Sequence, residues 1–208
     1  RYSTRGETVI RNVQPLFADL ETGGFAIGHN GNLTNALLLH DKLVSDGAIF
    51  QSTSDTEVIL HLVAKSNKTS FIDKFIDALG HLEGAYSLIA LTNKKLIGAR
   101  DPLGIRPLVL GKLDESFILA SETCALDIIG AKFIREVENG EIIVITDDGL
   151  ESYYPFPKIR PRPCIFEYVY FSMPHSIIGG KNVYNIRKEL GRELSKEDTI
   201  VPDVVVPV

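Results

Sequence analysis

Asn30 and Gly31 set a side-chain amide donor beside a backbone N–H that glycine, lacking Cβ, leaves open to close approach. Two such donors aimed at one point could hold an oxyanion. Asn-Gly is also a strong hairpin-turn signal, but a helical pattern follows here where a partner strand should come, and the dipeptide alone leaves both readings open. Asp55 falls in the first turn of an expected helix, where the helix dipole favours a carboxylate, so capping accounts for it without any ligand. Arg1 offers a planar fork suited to a carboxylate, against the plainer role of a solvated surface charge. The run Arg100-Asp101-Pro102-Leu103-Gly104-Ile105-Arg106-Pro107 is dense in turn formers and charge, and reads as a rigid loop between strands rather than as catalytic machinery.

Other chemistries find little support. His29, His40, His61, His81 and His175 share no metal-type spacing with one another or with a cysteine, so no zinc site is expected. There is no G-x-S-x-G elbow, no Walker glycine loop and no G-x-G-x-x-G, which removes the common hydrolase, NTPase and dinucleotide readings.

The elements that must position these residues follow from periodicity and turn chemistry. Residues 24–29 read as a short buried strand and 32–45 as a helix with Leu33, Leu37, Leu38 and Leu43 near helical spacing. Ser54 to Glu57 predicts a capping box opening a helix through Val58, Ile59, Leu62 and Val63. Ser70 and Asp73 predict a similar start for a helix through Phe71, Phe75, Ile76 and Leu79. From 85 onward the pattern changes to short β-prone runs at 85–92, 95–99, 107–110, 117–121, 133–137 and 141–145, with Asp148-Gly149 turning into a last run at 150–154. Helices followed by many antiparallel strands predict an α+β fold with layered packing.

Pro155, Pro157, Pro161 and Pro163 fix an extended connector over 155–163, and the domain boundary is placed there: 1–154 one domain, 164–208 the beginning of another. In that second part a strand at 165–171, a helix at 183–195 and a strand at 203–208 predict the start of an α/β unit. Opening on Arg1 and ending within an apolar run, the sequence reads as a piece truncated at both ends.

A net charge of −5 disfavours bulk attraction to nucleic acid or an anionic membrane. No run approaches the roughly 18 apolar residues of a membrane helix and no signal peptide is evident. Two separated cysteines, Cys124 and Cys164, cannot staple a secreted fold, so the expected compartment is a reducing cytoplasm.

Three segments in order, Arg1-Tyr2-Ser3-Thr4-Arg5-Gly6, Gly28-His29-Asn30-Gly31-Asn32-Leu33-Thr34-Asn35 and Ser54-Asp55-Thr56-Glu57, resemble the class II glutamine amidotransferases with an N-terminal nucleophile. Residues 100–108, Ala120-Ser121-Glu122-Thr123 and Cys164-Ile165-Phe166-Glu167-Tyr168-Val169-Tyr170-Phe171 narrow the resemblance to the glutamine phosphoribosylpyrophosphate amidotransferase family. The resemblance implies a layered αββα N-terminal-nucleophile hydrolase fold, followed by the start of an α/β phosphoribosyltransferase domain. It implies an oxyanion hole from Asn30 and the Gly31 N–H, a grip on the α-carboxylate of glutamine by Arg1, pairing of Asp55 with the α-ammonium, and a pocket shaped by Tyr2 and Thr4.

The family's nucleophile is an N-terminal cysteine upstream of Arg1, matched by neither Cys124 nor Cys164, so the 208-residue chain alone is expected to be inactive. In the whole protein the resemblance implies hydrolysis of glutamine and Mg2+-dependent transfer of the ammonia to phosphoribosylpyrophosphate, giving phosphoribosylamine for purine synthesis, by a homo-oligomer. Cys164 matches a [4Fe-4S] ligand in one branch of the family and a structural cysteine in others. Met173-Pro174-His175-Ser176 departs from the Arg-Pro-Asp-Ser run of many relatives, so contacts of that arginine and aspartate are not carried over. A sister amidotransferase of the glucosamine-phosphate or asparagine synthetase type shares the glutamine site, and a non-catalytic glutamine-binding module would share the fold.

Overall fold

The computed structural model describes residues 9–21, 23–197 and 199–206. Arg1, Tyr2 and Thr4 lie outside the described residues. Strands β1 (Leu16–Leu20), β2 (Gly23–Leu33), β3 (Gly84–Thr92), β4 (Leu96–Arg100), β8 (Ile142–Thr146) and β9 (Gly149–Tyr153) form a six-stranded antiparallel sheet in the order β1-β2-β3-β4-β8-β9. A second sheet, in the order β6-β5-β7, joins β5 (Val109–Leu113), β6 (Ser116–Ala120) and β7 (Lys132–Glu136). Helices α1 (Ala36–Ser45), α2 (Thr56–Lys65) and α3 (Phe71–Leu79) belong to the first part of the chain, and α4 (Thr123–Ile128) follows β6.

The alternation of side chains along a strand separates the layers. On one face of the large sheet Phe25, Ile27, Leu88, Ala90, Ile97, Ile142 and Val144 pack with Ile59, Val63, Phe75 and Leu79 from the helices. On the other face Ile89, Ile143 and Ile145 meet Leu110 and Leu119 of the small sheet and Leu108 just before it. Beyond the small sheet, Val109 and Ile118 pack with Leu126 of α4. The order is helix, sheet, sheet, helix, the αββα layering expected.

Local chemistry explains several boundaries and corrects others. Ser70 caps α3 as expected: its hydroxyl accepts from the Asp73 N–H at 3.1 Å. The capping box at α2 is not formed. Glu57 instead turns its carboxylate back to the Gln51 N–H at 2.7 Å and the Ser52 N–H at 2.6 Å, and Ser54 Oγ accepts from the Thr56 N–H at 3.3 Å. Carboxylate contacts with two loop donors supplant the reciprocal cap. β2 runs on to Leu33 and α1 starts only at Ala36, because Asn30, Gly31 and Asn32 keep pairing with Ser87, Tyr86 and Ala85 of β3. The β8–β9 hairpin closes with Thr146 opposite Gly149, so Asp147 and Asp148 form the loop.

Residues 155–163 carry no regular element, as their prolines require. Beyond them, 165–171 is not a strand. Glu167–Phe171 makes a short π-helical turn in which the Ser172 N–H bonds the Glu167 carbonyl at 3.1 Å. An apolar run of this length does not distinguish strand from helix by periodicity. α5 (Val183–Glu197) confirms the expected helix, preceded by the two-residue strands β10 (Ile177–Ile178) and β11 (Lys181–Asn182). The strand expected at 203–208 is absent among the described residues, where Val204, Val205 and Val206 are exposed and no ladder reaches them. Among the described residues no helix is long and apolar enough to cross a membrane.

Candidate active site

β2 carries the two central residues of the site. Its odd-numbered side chains, Phe25, Ile27, His29 and Leu33 among them, are buried on the helix side, so Asn30 projects to the face toward the small sheet. There its amide is held at both ends. Oδ1 accepts from Arg106 Nη2 at 2.9 Å, and Nδ2 donates to Ser121 Oγ at 3.3 Å.

Gly31 follows with φ at +154°, and a Cβ there would sit 2.0 Å from the Ala85 carbonyl oxygen and 2.8 Å from His29 Nε2. Backbone and a buried ring cannot withdraw, so only glycine fits while β2 stays paired with β3. The close approach of β2 to β3 at this point is therefore a property of Gly31 itself.

Beneath this turn lies a buried polar group. The His29 N–H donates to Gln14 Oε1 at 2.7 Å, Gln14 Nε2 donates to Thr56 Oγ1 at 3.0 Å, and His29 Nδ1 lies 3.2 Å from Thr56 Oγ1 and 3.6 Å from Asp55 Oδ1. Asp55, 7% exposed, accepts the Leu33 N–H on Oδ2 at 3.0 Å. That bond crosses from the start of α2 to β2 three residues past Asn30, so the carboxylate is not the helix cap of the simplest sequence reading: its side chain makes no capping bond. Asp55 also lines a cavity of about 200 Å³ with Ala36, His40, Ser52 and Val58. The structure thus brings Asn30, Gly31 and Asp55 to one end of β2, and Arg1, Tyr2 and Thr4 lie outside the described residues.

The loop after β4 supports this end of the sheet. Asp101 is fully buried and accepts N–H bonds from Ile105 at 3.1 Å, Arg106 at 3.1 Å and Tyr86 at 3.4 Å. Burial pushes its carboxyl above the usual value despite those three donors. Arg100 is likewise spent on the loop, bonding the carbonyls of Arg106 at 2.8 Å and Val137 at 2.8 Å. The rigid-loop reading of 100–107 holds, with one addition that the sequence could not supply: Arg106 turns out of the loop onto Asn30 across a separation of 76 residues.

Cys124 is buried and its thiol is pushed up, chiefly by burial, with nearby Glu122 opposing the thiolate as well; a Ser176 hydrogen bond acts the other way. Such a thiol is a poor nucleophile at neutral pH. Cys164 is half-buried, with its N–H 3.4 Å from the Ile105 carbonyl. Among the described residues no three His, Cys, Asp or Glu side chains are grouped to hold a metal.

Residues 3–127 match the family described as the glutamine amidotransferase domain. The chain belongs to that family, and its layered fold is that of the N-terminal-nucleophile hydrolases. It is 59% identical to amidophosphoribosyltransferase of Rhizobium etli and 44% identical to amidophosphoribosyltransferase of Bacillus subtilis, in each case over 100% of this chain and over 43% and 44% of the relative. Among solved structures, the glutamine phosphoribosylpyrophosphate amidotransferase of B. subtilis complexed with ADP and GMP superposes with a TM-score of 0.90 at 42% identity, covering 94% of this chain and 43% of that one. The allosteric regulatory enzyme of purine biosynthesis gives a TM-score of 0.92 at 42% identity over 99% of this chain and 46% of that one. The chain spans less than half the length of these relatives.

Proposed function

We propose that this chain supplies the glutamine-handling part of an amidophosphoribosyltransferase, which hydrolyses glutamine and joins the ammonia to 5-phosphoribosyl 1-pyrophosphate, giving 5-phosphoribosylamine, glutamate and pyrophosphate in the first step of purine synthesis. The observation that carries this is 59% identity over 100% of the chain, well past the 3–127 stretch that matches the glutamine amidotransferase domain. Sister amidotransferases share the glutamine site and differ in the acceptor part, so likeness beyond residue 127 is what separates them.

In this reading the second N–H of the Asn30 amide and the Gly31 N–H receive the oxygen of the tetrahedral intermediate as the glutamine side-chain amide is attacked. Donors fixed in advance stabilise the developing charge without reorganising. Asp55 pairs with the α-ammonium and Arg1 with the α-carboxylate, so both charged ends are recognised and the side-chain amide is oriented. Tyr2 and Thr4 shape the pocket. Residues 1–154 form the glutaminase domain, 155–163 the connector and 164–208 the beginning of the phosphoribosyltransferase domain. Magnesium serves the acceptor reaction, and none of the described residues is assigned to it. The whole protein is a cytoplasmic homo-oligomer acting on small molecules.

The test is glutamate release from glutamine by the full-length protein, with and without phosphoribosylpyrophosphate and Mg2+. Release raised by phosphoribosylpyrophosphate supports the reading. Release indifferent to it points to a different acceptor, and none at all points to a glutamine-binding module.

A further inference from the structure

A carboxamide is nearly symmetric in shape, and Asn30 can donate to an oxyanion only if its NH2 end, not its oxygen, faces the reacting carbonyl. Something must select that orientation. The guanidinium of Arg106 has donors and no acceptor, so at 2.9 Å from Nη2 only the amide oxygen can sit there. The NH2 is thereby directed away from Arg106. One of its hydrogens goes to Ser121 Oγ at 3.3 Å, and the other remains for a ligand.

Arg106 is itself held by further contacts, although its Nε is buried without a hydrogen-bond partner. Nη1 lies 2.7 Å from Glu167 Oε1, the guanidinium carbon sits 5.1 Å from the centre of the Phe171 ring, and the backbone N–H is bound by Asp101. Glu167 is 4% exposed, and its other oxygen accepts from Ser172 Oγ at 2.6 Å. A buried carboxylate this close to the fork pins one arm and leaves the other aimed at Asn30.

We infer that Arg106 is a positioning residue for glutamine hydrolysis, holding the Asn30 amide in its donating orientation, with Glu167 as the counter-ion that holds Arg106. This rests on the reading of Asn30 as an oxyanion donor. Neither residue touches substrate. Lysine at position 106 keeps a cation for Glu167, but its point charge cannot bridge Glu167 and Asn30 together.

The experiment uses the full-length protein and reads kcat and KM for glutamine, activity with free ammonia, and the melting temperature. Wild type is read first: a wild type without glutaminase activity overturns the functional reading and this inference with it. Given an active wild type, Arg106→Lys is expected to lower kcat for glutamine by about 10- to 100-fold, up to the loss seen when an oxyanion donor is removed. KM and ammonia-dependent activity should stay within about twofold, because the lost interaction acts only in the transition state. In an Asn30→Ala background the same substitution should cost nothing further, since no amide remains to orient. Glu167→Gln, smaller in its disturbance, should lower kcat less than Arg106→Lys and also lose its effect in the Asn30→Ala background. Unchanged kcat in Arg106→Lys, or an equal fall with and without Asn30, would overturn the inference. Should Arg106→Lys fail to fold, Glu167→Gln and its double variant decide the question by the same criterion.

Discussion

Replacing Glu141 by glutamine removes one charge from the most completely satisfied carboxylate among the described residues. Glu141 is fully buried just before β8. Arg135 grips it with both arms, Nη2 to Oε1 at 2.6 Å and Nη1 to Oε2 at 2.7 Å; Ser152 Oγ adds a bond to Oε1 at 2.6 Å and the Glu138 N–H one to Oε2 at 2.6 Å. Both oxygens therefore receive an arginine donor, and a glutamine NH2 in either orientation sets donor against donor. Breaking a buried pair costs about 3 to 5 kcal/mol. The Arg135 side chain is 35% exposed and recovers part of its hydration, so the figure is discounted to about 2 to 4 kcal/mol.

For a domain of this size that is a fall in Tm on the order of 4 to 16 °C. The pH dependence carries the sign. Burial alone would raise the Glu141 carboxyl, but Arg135, Ser152 and the Glu138 N–H outweigh it and hold it below its usual 4.5. Its contribution is thus present above pH 4.5 and is lost as pH falls through the depressed folded value. The Tm gap between wild type and Glu141→Gln, read by calorimetry on the full-length protein, should be largest near neutrality and should narrow in acid below pH 4.5. A gap under about 1 °C at pH 7, or one that widens in acid, would refute the argument.

Asp55→Asn keeps an oxygen to accept the Leu33 N–H at the 3.0 Å contact and loses the charge proposed to meet the α-ammonium. It is expected to lower kcat/KM for glutamine by roughly 10- to 100-fold, the worth of about 1.5 to 3 kcal/mol for a charged hydrogen bond, and to spare activity with ammonia. Equal loss with both nitrogen sources would count against that role. Gly31→Ala places a methyl 2.0 Å from the Ala85 carbonyl, so β2 and β3 must part; a loss of about 3 kcal/mol, the upper end for overpacking, is expected in urea unfolding, and an unchanged midpoint would show that the turn adapts.

What the sequence reveals and what it conceals divide along contact distance. Local signals read well: Ser70 capping α3, the hairpin into β9, the prolines of 155–163 and the alternation that gives two packed sheets are each settled within a few residues. Three errors have different causes. β2 extends past the Asn-Gly pair because the distant β3 pairs with it, Glu57 leaves its cap for the Gln51 and Ser52 N–H groups just upstream, and 165–171, an apolar run whose periodicity fits strand and helix alike, makes a helical turn. α4 was not expected at all, since a six-residue helix shows too little periodicity to register. Asn30, Gly31 and Asp55 could be named from resemblance, but not Gln14, Ser121, Arg106 or Glu167, whose partners lie between 15 and 91 residues away.

The layering explains why those distant residues converge. A strand in the middle of a two-sheet sandwich has two faces with different duties, and β2 divides them between consecutive residues. His29 faces the helices, where Thr56 Oγ1 meets its Nδ1 and Gln14 accepts its backbone N–H; Asn30 faces the small sheet, where Ser121 follows β6 and Arg106 precedes β5. Glu122, beside Ser121, accepts from the Met173 N–H at 2.8 Å and Ser176 Oγ at 2.8 Å, while Arg106 meets Glu167. Arg106 therefore supports both the Asn30 amide and the 167–176 segment, and Glu122, the neighbour of Ser121, holds that segment a second time. A one-residue slip of β2 against β3 would send Asn30 to the helix layer and undo both at once, and Gly31, which no other residue can replace at that approach, pins the register.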